Sequence, residues 1–132
     1  MKVLVSEDND YKFSKIAAFF ELNNCLVVRK TCIRDTLVEL TNDIYDVLVQ
    51  DMQLPQFSDS RDINTQGGAD CLEAAFFREL LPEHVFICSS GEIYENENIL
   101  EMYDIDFPIT ITKFEVGKTG WKNPIKKRLG FI

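Results

Sequence analysis

The sequence predicts an α/β domain built on a parallel sheet. Short apolar runs rich in β-branched residues alternate with stretches whose apolar residues recur at helical spacing. The strand-like runs are apolar almost throughout, as expected where helices cover both faces of a sheet. A length of 132 residues suits one domain with right-handed crossovers.

Lys2 to Ser6 (KVLVS) reads as the first strand, followed by a polar turn, Glu7-Asp8-Asn9-Asp10, suited to capping a helix. Phe13, Ile16, Ala17 and Phe20 then mark a helix that Asn23-Asn24 breaks. Cys25 to Arg29 is the second strand, and Ile33, Leu37, Leu40 and Ile44 give the next helix face. Val47 to Gln50 is the third strand, ending at Asp51. From Leu54 to Gly68 the chain loses periodicity and reads as a long loop, a feature often tied to function. Leu72, Ala75, Phe76 and Leu80 restore helical spacing until Pro82. Val85 to Cys88 is the fourth strand, ending at Ser89-Ser90-Gly91, and Glu92 to Tyr103 is a more polar helix. Pro108 to Thr112 is the fifth strand, ending at Lys113. In the remainder only Pro124 to Leu129 reads as helical, with the proline near its first turn.

The composition, 45% hydrophobic and 27% charged, excludes a disordered tail or a disulfide-held miniprotein. No apolar run approaches a membrane span, and no signal peptide is visible. The net charge of −8 argues against direct nucleic-acid binding, which needs a basic face. The charge is uneven: residues 113–132 hold Lys113, Lys118, Lys122, Lys126, Lys127 and Arg128 against Glu115 alone. That basic end suits an acidic partner, an acidic region of its own body, or plain solvation. Cys25, Cys32, Cys71 and Cys88 form no C-x-x-C pair and have no metal-ligand spacing to His84. A reducing, cytoplasmic setting is expected.

Ligands of open parallel sheets bind beyond the carboxyl ends of the strands. Those ends deliver Glu7 and Asp8, then Asp51, then Ser89 and Ser90, then Lys113. Singly, each reads as a turn former, a helix cap or a surface charge. Together, the carboxylates suit a hard divalent cation, and a carboxylate can act as nucleophile towards a phosphoryl group. The hydroxyl and ammonium groups can bind phosphoryl oxygens as charge develops.

The ordered set resembles the receiver domain of two-component response regulators, from Lys2 to about Lys113. KVLVSEDND resembles that family's first strand with its acidic pair. DVLVQDMQLP resembles the third strand with its phosphoacceptor aspartate, and VFICSSG and ITITK resemble the ends of the fourth and fifth. The resemblance implies a single receiver domain over 1–132, with an atypical segment at 114–132. It implies a doubly wound, flavodoxin-like sheet of strand order 2-1-3-4-5 with a shortened or irregular last helix. It further implies phosphoryl transfer from the phosphohistidine of a histidine kinase or histidine phosphotransfer protein to Asp51. Mg²⁺ (or Mn²⁺) would be held by Glu7, Asp8, Asp51 and the backbone carbonyl of Gln53. Ser89, Ser90 and Lys113 would bind the phosphoryl group, with Lys113 paired to Asp51 beforehand.

The chain departs from the pattern at Phe114, where the family usually has proline, and at Thr110, where many members carry an aromatic switch residue. The loop after Asp51 is also longer than usual. These departures leave a second reading, a non-phosphorylated pseudo-receiver that acts as a protein-binding adaptor. A carboxylate-nucleophile phosphatase is disfavoured by Gln53, which stands where such enzymes place a second acid. A flavin site is disfavoured by the acidic first turn, which repels phosphate.

Overall fold

The computed structural model describes residues 1–59 and 63–132. Its elements run β1 (Lys2–Ser6), α1 (Asp10–Leu22), β2 (Leu26–Lys30), α2 (Ile33–Asn42), β3 (Val47–Gln50), β4 (Leu54–Pro55), β5 (Ile63–Asn64), α3 (Gly67–Phe77), β6 (His84–Ser89), α4 (Ile93–Glu101), β7 (Ile109–Lys113) and α5 (Lys122–Leu129). Five strands form one parallel sheet in the order β2-β1-β3-β6-β7. With the small β4–β5 pair set aside, this is the expected order 2-1-3-4-5.

Side chains along a strand alternate between faces, and the core divides accordingly. Val3, Val5, Val47, Val49, Phe86 and Cys88 pack on one face with Ile16, Phe19 and Phe20 of α1 and Ile125 of α5. Leu4, Leu48, Val85 and Ile87 pack on the other with Leu40 of α2 and Leu72 and Ala75 of α3. Burial of both faces explains why these strands read as continuous apolar runs.

The stretch read as loop from Leu54 to Gly68 is corrected in part. Leu54 pairs with Asn64 and Pro55 with Ile63 in a short antiparallel ladder, and α3 already begins at Gly67. Two-residue strands show no period, and a glycine pair reads as a helix breaker, so neither was visible in the pattern. Residues 60–62 of that stretch lie outside the described residues.

The last helix has eight residues, as short as expected, and ends on Gly130 in the left-handed region (φ 73°). Lys126, Lys127 and Arg128 lie in its last turn, where cations complement the helix dipole. Arg128 accounts for Thr110: its guanidinium donates to Thr110 Oγ1 at 2.8 Å and to the carbonyls of Pro108 and Val85. Trp121 is buried against Phe19 and Phe114, each ring 5.5 Å away. All four cysteines are free and buried. Among the described residues, no helix is long and apolar enough to cross a membrane.

Candidate functional site

Parallel register brings four strand ends to one rim. Ser6 lies beside Gln50, Gln50 beside Ile87, and Ser89 beside Lys113. Backbone bonds carry the ladder one step further, from Asp51 N–H to the Ser6 carbonyl (2.9 Å) and from Phe114 N–H to the Ser89 carbonyl (2.8 Å). Glu7, Asp8 and Asp51 thereby converge, each offering a carboxylate oxygen within 4.8 Å of the others. They open into a cleft of about 530 Å³ that Gln53 and Ser90 also line.

The turn after β1 is fixed by its own polar groups. Asn9 caps α1, its side chain accepting from Lys12 N–H at 2.9 Å, and Asn9 N–H donates to Glu7 Oε2 at 3.1 Å. Beneath the rim, Gln50 donates to Ser6 Oγ and to the Asp51 carbonyl, both at 3.0 Å, and Ser6 Oγ lies 2.8 Å from Thr36 Oγ1. Asp51 Oδ1 accepts from Met52 N–H at 2.9 Å. Asp51 is thus held from the backbone on one side and from a buried polar network on the other.

Lys12 holds the cluster together, and the sequence reading missed it. Its ammonium is 3.0 Å from Asp51 Oδ1 and 2.8 Å from Glu7 Oε1, with the side chain only 6% exposed. The spacing Lys12, Ile16, Phe20 places it on the buried face of α1, which was the signal available. Burial pushes the Glu7 carboxyl up to about 7, with Lys12 opposing and Asp51 adding to the rise. Desolvation and the Asp51 charge raise Asp8 as well. The Lys12 ammonium is held above its ordinary value: desolvation opposes this, but the Asp51 and Glu7 charges outweigh it.

A second missed feature is the pair Gly67-Gly68 at the start of α3. A Cβ on Gly68 would lie 2.1 Å from the Asp51 carbonyl oxygen, and one on Gly67 would lie 2.5 Å from that of Leu54. Gly68 N–H donates to the Met52 carbonyl at 2.8 Å. Only glycine permits this approach of α3 to the Asp51 turn.

The β6 and β7 ends are built more loosely. Ser89 is buried, its Oγ accepting from Gly91 N–H at 3.2 Å, and Ser90 is exposed at the cleft. Lys113 does not make the expected pair with Asp51. Its ammonium donates to Glu92 Oε1 at 2.5 Å, and Lys12 occupies Asp51 instead. Phe114, standing where the resemblance has proline, is buried at the cleft wall with its ring 5.9 Å from the Lys12 ammonium.

Comparison with solved structures gives the same architecture. The chain is similar to the BeF3-activated N-terminal receiver domain of Klebsiella pneumoniae RstA, with a TM-score of 0.70 and 14% identity over 99% of this chain and 98% of that one. It is similar to a Francisella response-regulator receiver domain, with a TM-score of 0.67 and 18% identity over 98% and 95% of the two chains. The fold is that of a receiver domain. Thermotoga maritima TrrA, a response regulator solved in complex with Mg²⁺-BeF, shares this receiver fold at a TM-score of 0.68 and 10% identity, over 98% and 96% of the two chains. No family model matches the sequence, and no curated protein does. The receiver architecture is therefore present here on a sequence no more than 18% identical to these three.

Proposed function

We propose that the domain is a phosphoryl-accepting signalling switch, with Asp51 as acceptor and the phosphohistidine of a histidine kinase or histidine phosphotransfer protein as donor. The observation that carries this reading is the convergence of Glu7, Asp8 and Asp51 within 4.8 Å at the open mouth of a receiver fold. The donor set fits a hard divalent cation: three carboxylates, with Glu7 Oε1 buried and lacking an aligned hydrogen bond. Glu7, Asp8, Asp51 and the Gln53 carbonyl would hold Mg²⁺ (or Mn²⁺), which when bound supplies positive charge to the phosphoryl oxygens during transfer.

The chain's own groups do the rest. Asp51 Oδ1 is fixed by Met52 N–H and Lys12, which leaves Oδ2, without a hydrogen bond among the described residues, as the attacking oxygen. An Oδ2–P bond forms while the P–N bond to the donor imidazole breaks, its electron pair returning to nitrogen. Ser89 keeps its own O–H to donate to a phosphoryl oxygen, and Ser90 is small enough to leave room for the group. The added charge of about −1.5 to −2 at pH 7 draws Lys113 away from Glu92 and towards Asp51. The moving β6 and β7 loops would then present a changed surface to a protein partner. The reaction is self-catalysed on one acceptor, with no separate substrate turned over.

The competing reading, a non-phosphorylated adaptor, is favoured by the two lysines: Lys12 already neutralises Asp51, and Lys113 is engaged elsewhere. Incubation with Mg²⁺ and acetyl phosphate, followed by intact mass, separates the two. A single phosphate adduct is expected on the wild type and none on Asp51→Ala. No adduct on either leaves the adaptor.

A further inference from the structure

Lys12 stands where a cation is needed. Its ammonium lies within 3.0 Å of one oxygen on each of Glu7 and Asp51, two of the three residues of the acidic cluster. A Mg²⁺ ion sits about 2.1 Å from its oxygen ligands. An ion on those same two oxygens would be no more than about 5 Å from the ammonium, with like charges facing each other in a nearly dry site.

We infer that Lys12 is a built-in competitor for the divalent cation, an internal ammonium that must swing out of the carboxylate cluster before metal can enter. The inference rests on the metal-site reading proposed above and adds to it a residue that sets the affinity. The lysine stem is long and flexible, and the cleft beside it, bounded by Asn9, Tyr11 and Val116, gives the ammonium somewhere to go. The consequence is weak metal binding in the resting domain and a resting site that needs no ion to balance its carboxylates. Metal occupancy, and with it phosphoryl acceptance, becomes coupled to displacement of one side chain on the first turn of α1.

Calorimetric titration with MgCl₂ at fixed ionic strength tests this on the wild type, Lys12→Met and Lys15→Met. Lys15 is an exposed cation on the same helix whose ammonium lies over the Tyr11 ring, so it controls for net charge. Lys12→Met is expected to bind Mg²⁺ at least about tenfold more tightly than the wild type, and Lys15→Met within about twofold of it. Equal or weaker binding by a folded Lys12→Met overturns the inference and leaves the metal site standing. Binding by none of the three proteins overturns both.

If Lys12→Met does not fold, the wild type alone decides. Amine acylation read by peptide mass is expected to find Lys12 protected without metal and labelled once Mg²⁺ saturates the site. Unchanged protection at saturation, as measured by calorimetry on the same sample, overturns the displacement.

Discussion

On the β1–β3 side of the rim, Glu7, Lys12 and Asp51 are enclosed, whereas on the β6–β7 side Lys113 and Glu92 meet with side chains 29% and 48% exposed. The two ion pairs have different worth. An enclosed pair is costly to break because the surviving charge is left without water. An exposed pair contributes between about 0 and 1 kcal/mol and is screened by salt. The first side is tied by enclosed charges and the second is only weakly tied. The glycines repeat the contrast: Gly68 is pressed against the Asp51 carbonyl, while a Cβ at Gly91 would meet nothing closer than 3.6 Å.

Four measurements sharpen or break this comparison. Lys12→Met at pH 8 is expected to lower unfolding free energy by about 3 to 5 kcal/mol in urea, since it strands two buried carboxylates. The loss should shrink near pH 5 as Glu7 takes up a proton. A loss under about 1 kcal/mol would make the enclosed pair no stronger than the exposed one. Gly68→Ala is expected to cost about 2 to 3 kcal/mol by overpacking the Asp51 turn, against less than about 0.5 kcal/mol for Gly91→Ala. Similar costs for the two alanines would remove the asymmetry.

The third measurement is pH dependence. Glu7 is raised from 4.5 to about 7 in the fold, so between those values the folded state binds more protons than the unfolded one. Its contribution to stability therefore falls as pH climbs through that window, by about 3 kcal/mol, and is flat above it. Lys12, raised above 10.5, has the same sign in a higher window: its contribution is complete below that value and is lost above it. Glu7→Gln should flatten the acid-side slope in denaturation series at pH 4.5 to 7.5, and an unchanged slope would assign it to another group.

The smallest stability effect is expected for Lys113→Ala, less than about 1 kcal/mol. The same substitution should slow acetyl phosphate labelling of Asp51 at least about tenfold, because the proposed reaction loses the cation that follows the phosphoryl group. A large stability loss with unchanged labelling would reverse the roles given to the two sides.

The fold was legible because burial of both sheet faces writes long apolar runs, and because the polar residues ending them stand in one order. Asp51 and the Glu7-Asp8 pair were legible for the same reason. Side-chain pairing was not. That Lys12 rather than Lys113 reaches Asp51 depends on the turn set by the Asn9 cap and on Glu92 standing near Lys113, neither of which spacing along one strand encodes. The role of Gly67-Gly68 is a contact between backbones, and a glycine pair in a polar stretch reads the same whether it frees a loop or admits a helix.

Trp121, the single tryptophan of the chain, packs at a tilt against Phe114, whose ring in turn faces the Lys12 ammonium across the cleft wall. The molecule consequently carries its own optical probe: emission from one indole, three contacts from the Asp51 carboxylate, can be followed in real time without attaching any dye.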